Sequence, residues 1–139
     1  MRYKYHIQGD VAESKSISEF TSNGFFVYIP MSNLAPYDFI ACKDNQLYRI
    51  QVKSSSSIRR GNYKFDLRST NPLYAKDFDP LNCDILVCYI VDADKLCYLR
   101  SDEIVSKTSI TLKDRYSVRA RNQNKQWVAS DYSDINRVL

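Results

Sequence analysis

The sequence has a single histidine, and none of its four cysteines forms a Cys-x-x-Cys pair. No histidine lies near these cysteines, which are Cys42, Cys83, Cys88 and Cys97. This spacing argues against zinc and favours buried thiols in the strands of a cytoplasmic protein. The longest apolar run, Ile85–Val91, is far shorter than the about 20 residues of a membrane-spanning helix. Met1–Tyr5 lacks the apolar region of a secretory signal, so we expect a cytoplasmic protein without membrane contact.

The composition is that of one folded domain. Hydrophobic residues make up 44% of the 139 residues and charged residues 26%, which excludes disordered, collagen-like and coiled-coil chains. A chain of this length buries a core without disulfides or metals. We therefore expect a single domain over residues 1–139.

Positive charge is concentrated in two stretches, although the net charge is only +4. Residues 49–68 contain six basic residues and one acidic residue, and residues 113–125 contain five basic residues and one acidic residue. A mild overall excess identifies no partner, but this distribution indicates one cationic face.

Hydrophobic patterning predicts a mixed α/β domain built on one sheet. A first helix is expected at 9–23, where Asn23-Gly24 ends it. Two shorter helices are expected late in the chain, at 102–107 and 131–138. The predicted strands are a buried run at 25–29, a hairpin formed by 37–42 and 46–53, a two-faced strand at 62–69, a strand at 84–91 buried on both faces, and 96–100.

The predicted hairpin brings together a set of polar residues. Gln51 and Lys53 project from one face because strand side chains alternate, and the short turn brings Asp38 alongside Gln51. Glu13 lies on the first helix, which would have to cover that face. Metal-dependent phosphodiester hydrolysis needs oxygen ligands and a nearby cation of this kind. The alternative is that Gln51 and Lys53 form the polar face of an ordinary amphipathic hairpin.

These motifs resemble those of the PD-(D/E)xK nuclease superfamily. The resemblance rests on Gly9…Glu13, Pro36-Tyr37-Asp38 and Gln51-Val52-Lys53. It covers roughly the first 100 residues, including the apolar run Asp84–Val91. It implies an α/β, restriction-endonuclease-like fold with an αβββαβ core and a central mixed sheet. Among its members the chain is most similar to archaeal Holliday-junction resolvases and to a small homing endonuclease encoded in a cyanobacterial group I intron. The latter shares the glutamine-for-glutamate motif and a strand ending in Tyr-Ile-Pro, here Tyr28-Ile29-Pro30.

The resemblance implies a role for each residue of the set. Asp38 is the expected central metal ligand, Glu13 the helix carboxylate that completes the metal shell, and Lys53 the catalytic lysine. Gln51 and the Val52 backbone carbonyl are further expected ligands of Mg²⁺, for which Mn²⁺ is a substitute. Gln51 departs from the Asp or Glu of most members and contributes no charge, so metal affinity is expected to fall, and the resemblance leaves open whether one or two ions bind.

The resemblance also implies a nucleic-acid partner. The expected DNA-binding residues follow the motif or lie in the second basic stretch: Arg59, Arg60, Lys64, Arg68, Lys113, Arg119 and Arg121. Residues 108–139 are expected to be an appended segment for DNA contact or oligomerisation.

The implied activity is site-specific double-strand DNA cleavage of the homing type. One active site per chain requires at least a homodimer, with a homotetramer favoured, acting on a long pseudo-palindromic site. A Holliday-junction resolvase and a non-catalytic DNA-binding domain with a decayed site remain alternatives.

Overall fold

The fold is described from a computed structural model. It covers the backbone of residues 2–55, 57–59, 61–70, 75–114 and 127–139, with side chains for 4–55, 61–69, 76–114 and 127–139. The first elements are the helix α1 (Arg2–Ser22) and the strands β1 (Phe26–Tyr28), β2 (Phe39–Lys43), β3 (Gln46–Ser54), β4 (Ser57–Arg59) and β5 (Asn62–Asp66). They are followed by β6 (Ser69–Thr70), β7 (Ala75–Lys76), β8 (Ile85–Ile90), β9 (Lys95–Arg100) and β10 (Ser109–Lys113). Short 3₁₀ helices span Ser101–Glu103, Ala129–Tyr132 and Ile135–Val138.

Helix α1 is longer than predicted at its start and ends as predicted. It begins at Arg2 rather than at Gly9, because the helix passes through Gly9 instead of being broken by it. At its end Gly24 adopts φ 87°, and the amides of Gly24 and Phe25 donate to the carbonyls of Thr21 and Phe20. This double hydrogen bond closes the helix, and the rings of Phe20 and Phe25 pack edge to face at 5.1 Å. In the described part of the chain, no helix has both the length and the apolarity to cross a membrane.

The central sheet has the strand order β1-β2-β3-β8-β9. Strands β3 and β8 run parallel, and the other neighbours are antiparallel, so the sheet is mixed as expected. The turn between β2 and β3 consists of Asp44 and Asn45, at φ 52° and 63°, a conformation that these residue types tolerate. The expected αβββαβ order places a second helix between the third and fourth strands of the core. In the described residues between β3 and β8, the structure has the short strands β4 to β7 instead.

A second sheet corrects the prediction that one sheet carries the whole domain. Strands β10, β5 and β4 form it, and apolar side chains of β5 and β10, including Phe65 and Leu112, share a core with Leu86 and Cys88 of the central sheet. Helix α1 packs on the opposite face of the central sheet, where Phe20 belongs to a separate core. Strand β8 is therefore buried on both faces, as its uniform apolar pattern predicts.

The last third of the chain is part of these cores. Strand β10, which the sequence analysis did not anticipate, pairs along its length with β5. Ala129 and Tyr132 enter the core between the sheets, and Ile135 and Val138 enter the core beneath α1. The described part of residues 108–139 is thus built into the domain rather than appended. The predicted helices at 102–107 and 131–138 are 3₁₀ turns, which are too short to form an amphipathic face.

Strand β1 is not the buried strand that its composition predicts. It lies at the edge of the central sheet, with Phe26 72% exposed and Tyr28 57% exposed, and only Val27 packs against the core. An aromatic, β-branched run fits a pleated surface whether or not that surface is covered. The exposed apolar residues of this edge continue into the following segment.

The two glycines of the α1 region predict opposite responses to alanine. Gly24→Ala should lower the free energy of unfolding by about 1–2 kcal/mol, because an L side chain is disfavoured at positive φ. Gly9→Ala should raise it by about 1 kcal/mol, because Gly9 lies in the helix with open space where a Cβ would stand. Urea unfolding of both variants measures the two changes. Equal signs would contradict this account of the helix bounds.

Candidate active site

The β2–β3 hairpin positions three of the four predicted site residues. Asp38 lies immediately before β2, and its backbone N–H donates to the Ile50 carbonyl at 2.8 Å. The antiparallel register pairs Phe39 with Ile50, so the preceding residue, Asp38, lies opposite the following one, Gln51. Directly opposed residues share a face, as do alternate residues of one strand. Asp38, Gln51 and Lys53 are therefore on the same face of the sheet.

The carboxylate of Asp38 is held by the backbone of β3. Its Oδ2 accepts a hydrogen bond from the Val52 N–H at 2.7 Å. The N–H and C=O of a strand residue point to the same side, so the Val52 carbonyl is directed toward the side on which Asp38 lies. A carboxylate oxygen and a backbone carbonyl oxygen are thus brought to one edge of β3.

Glu13 approaches this group from α1. The prediction that the first helix covers the face of Gln51 and Lys53 is wrong, because α1 packs through Phe20 on the opposite face of the sheet. The Glu13 carboxylate is nevertheless near enough to Asp38 for the two charges to interact. The first half of α1 passes the end of β3, where the Gln8 amide donates to Ser54 Oγ and to the Ser55 carbonyl, each at 2.8 Å. These two bonds fix α1 against the strand that carries Lys53.

Both carboxyl groups are easier to protonate than usual. Partial burial is the largest cause of the raised pKa of Glu13, and the charges of Asp38 and Asp10 raise it further. Burial also raises the pKa of Asp38, against the opposing effects of the Val52 hydrogen bond and the Lys53 charge. Two partly buried acids that repel each other are stabilised by a cation between them.

The oxygen atoms of this group suit a hard divalent cation. They comprise two carboxylates, the Gln51 amide and the Val52 carbonyl, which are ligand types that Mg²⁺ accepts. Among the residues the structure describes, no group of three or more His, Cys, Asp or Glu side chains forms a metal cluster. A set with an amide in place of a third acid is expected to bind the ion less strongly.

Lys53 is half-buried between this acidic group and the core. It lies opposite the fully buried Cys88, whose pKa burial raises well above that of an ordinary thiol. The positive charge of Lys53 acts on Asp38 and also contributes to lowering the pKa of Asp66 at the end of β5. The site therefore borders the second sheet.

Arg49 belongs to the scaffold rather than to a cationic surface. Its guanidinium makes two hydrogen bonds to Asp84, Nε–Oδ2 at 3.1 Å and Nη2–Oδ1 at 3.0 Å, and Nη1 donates to the Leu81 carbonyl. These bonds lower the pKa of Asp84, chiefly through the side-chain hydrogen bond. They attach the start of β8 to β3. Because Arg49 is paired in this way, the count of basic residues in 49–68 is larger than the number of cations available to a partner.

The second sheet carries two of the expected DNA-binding residues, Lys64 and Lys113. Lys64 lies opposite Ser57 and Thr111, and Lys113 lies opposite Asn62. Tyr63 and Leu112, which alternate with them, pack against the core, so these lysines are on the outer face.

The other basic candidates differ in their surroundings. Arg68 is paired with Asp66 at 3.2 Å, so its charge is partly engaged within the molecule. The backbone of Arg59 is opposite Asn62. The side chain of Arg59 lies outside the described residues, as do Arg60, Arg119 and Arg121.

Gln8 is the residue near the site that sequence reasoning missed. It lies five positions before Glu13, outside a helix expected to start at Gly9. Recognising that the helical pattern continues through Gly9 would have placed it on the same helix, about one and a half turns before Glu13. A cavity lined by Lys15, Tyr89 and Asp94, among others, contains none of the four site residues, and a Lys15–Asp94 ion pair at 2.8 Å lies within it.

Comparison with known proteins agrees with this architecture. The chain is 27% identical to Protein 5.3 of Escherichia phage T7 over 110 residues, which are 79% of this chain and 92% of that protein. The solved structure of a bacterial homing endonuclease, I-Ssp6803I, superimposes with a TM-score of 0.70 at 22% identity, covering 91% of this chain and 86% of that one. This likeness confirms the restriction-endonuclease-like fold. The model of the PD-(D/E)XK endonuclease family matches residues 3–135, and the chain therefore belongs to that family of nucleases.

Proposed function

We propose that this nuclease is a site-specific endonuclease that cuts both strands of duplex DNA with Mg²⁺. Glu13, Asp38, Gln51 and the Val52 carbonyl would hold the ion, and Mn²⁺ would substitute for it. The observation that carries the proposal is the group formed by Asp38, Gln51 and Lys53 on one face, with Glu13 in electrostatic contact from α1. An ordinary amphipathic hairpin does not need a partly buried acid with a helix carboxylate close enough to repel it.

Each residue has a distinct part in this reaction. Asp38 is oriented by its hydrogen bond from Val52, so no rearrangement of that carboxylate is needed for binding. Lys53 orients the attacking water and offsets the charge that develops on the phosphate. Bound Mg²⁺ supplies a water of lowered pKa and a positive charge at the phosphate. Gln51 contributes an oxygen without charge, which lowers affinity for the ion.

The outer face of the β10-β5-β4 sheet is the proposed DNA-contacting surface. Lys64 and Lys113 lie on it, and Asp66 at the end of β5 is within electrostatic range of Lys53. Lysines on such a surface bind phosphates without reading sequence. Arg59, Arg60, Arg119 and Arg121 are proposed to extend this contact, with Arg68 contributing less because of Asp66.

Homing and oligomerisation complete the proposal. One active site per chain cuts one strand, so double-strand cleavage needs at least a homodimer, and a homotetramer would span a long pseudo-palindromic site. Similarity of fold to a bacterial homing endonuclease supports intron homing as the biological role. Three of the four cysteines are buried and all four are free thiols, which supports a cytoplasmic location.

Two other functions can be distinguished from this proposal by which DNA substrate the protein cleaves. A Holliday-junction resolvase would cleave synthetic four-way junctions in preference to linear duplex. A non-catalytic DNA-binding domain, which the neutral Gln51 keeps open, would bind duplex and cleave neither.

Replacing Lys53 by methionine tests the catalytic assignment. Lys53→Met keeps the aliphatic chain beside Cys88 but removes the ammonium group, so cleavage in Mg²⁺ should fall by roughly 10²–10⁴-fold. DNA affinity in Ca²⁺ should change little. The assay is cleavage of a randomised duplex library with and without EDTA, with sequencing of the ends.

Lys95→Met is the matched control, because Lys95 is exposed at the start of β9, at the opposite edge of the central sheet. It should cleave like the unaltered protein. Full cleavage by Lys53→Met, or equal losses in both variants, would contradict the assignment.

The salt dependence of binding tests the proposed DNA-contacting surface. Each phosphate contact contributes about 0.9 to the slope of log K against log[salt], so Lys64→Ala with Lys113→Ala should reduce that slope by about 2. Fluorescence anisotropy in Ca²⁺ from 50 to 200 mM salt, a range over which such slopes are resolved, measures it. Lys95→Ala should leave the slope unchanged. A double variant with the original slope would show that this face does not contact DNA.

A further inference from the structure

An uncharged apolar surface adjoins the candidate active site. We call it the β1 patch; its six residues are Phe26, Tyr28, Ile29, Met31, Leu34 and Leu47, all of them more than half exposed. Phe26 and Leu47 both lie in register with Cys42, so they share one face of the sheet. Met31 is fully exposed and Leu34 nearly so. Tyr28 shares that face, and Ile29, Met31 and Leu34 follow β1 directly in the chain. Monomeric soluble domains seldom expose this many large apolar side chains along one edge.

The patch borders the site directly. Tyr28 lies opposite Ile40 on β2, and Asp38 is two residues before Ile40, so Tyr28 and Asp38 are on the same face. Strand spacing and rise put their Cα atoms about 8 Å apart. Within the part of the chain that the structure describes, β1 pairs only with β2, so its outer edge is a free edge.

The charge of this region rules against DNA as the occupant. From Phe25 to Cys42 the sequence has no Lys or Arg, and Asp38 is its single charged residue. Arg49, which lies on the same face beside Leu47, is paired with Asp84. Nucleic-acid contact surfaces carry cations that neutralise phosphates, and this patch carries none. A neutral apolar surface instead fits a protein surface of the same character.

We propose that the β1 patch is the interface through which two copies of this chain associate, patch against patch across a two-fold axis. The six residues expose on the order of 800 Å² together, which equals the roughly 800 Å² per partner of a standard-size interface. A surface that packs against its own copy needs no charge complementarity. This inference rests on the proposed function for its purpose, because the contact would bring two active sites beside each other for cutting opposite strands.

Two variants test the surface itself. Phe26→Asp and Met31→Asp each place a carboxylate in the patch, and both residues are so exposed that neither change removes a core contact. Each should raise the dimer dissociation constant by roughly 30-fold or more. Sedimentation equilibrium of the full chain measures mass against the 16.2 kDa monomer, and circular dichroism confirms folding.

Val105→Asp is the matched control. Val105 is 91% exposed and follows β9, at the other edge of the central sheet. It should leave the dissociation constant unchanged. A wild-type protein that is monomeric at all concentrations, or patch variants that remain dimeric, would overturn the inference.

Cleavage separates this inference from the proposed function. Monomeric Phe26→Asp should still nick one strand of a plasmid, with loss of concerted double-strand cutting. Dissociation of the variants together with a wild-type chain that cuts no DNA would support the interface and refute the endonuclease proposal. Loss of DNA affinity at unchanged mass would make the patch a DNA contact and overturn the interface.

Discussion

The pairing of Asp38 with β3 is the contact on which the rest of the site depends. Its amide donates to the Ile50 carbonyl and its carboxylate accepts from the Val52 amide, so both ends of one residue are fixed to one strand. A shift of the hairpin by one residue would turn Asp38 away from Lys53. The Asp44-Asn45 turn sets that register and thereby determines which residues lie opposite Asp38.

The site is built at some cost to the fold. Burial raises the pKa of Asp38 and of Glu13, which means that keeping these carboxylates charged lowers the stability of the folded state relative to the unfolded chain. Contacts nearby offset this: Gln8 ties α1 to the end of β3, and Arg49 with Asp84 ties β3 to β8. Carboxyl groups with shifted pKa values, held in place by hydrogen-bonded surroundings, are typical of functional sites.

Local patterns predicted the hairpin and its polar face, because a two-residue turn and strict alternation leave one arrangement for Asp38, Gln51 and Lys53. They also predicted the end of α1 at Gly24. They did not predict the start of α1, the second sheet or the exposure of β1. Those features depend on which surfaces pack together: the same alternation in residues 62–66 fits one sheet or two, and the apolar run of β1 fits a core or an interface.

The central claim is that side chains from α1, β2 and β3 converge on one divalent cation. Anomalous diffraction from crystals soaked in Mn²⁺ tests it most directly. The account predicts a peak beside the Asp38 carboxylate and the Val52 carbonyl, the residues that would hold the ion, and a weaker peak in Glu13→Gln. A strong peak bound elsewhere on the chain, with none at Asp38, would contradict it.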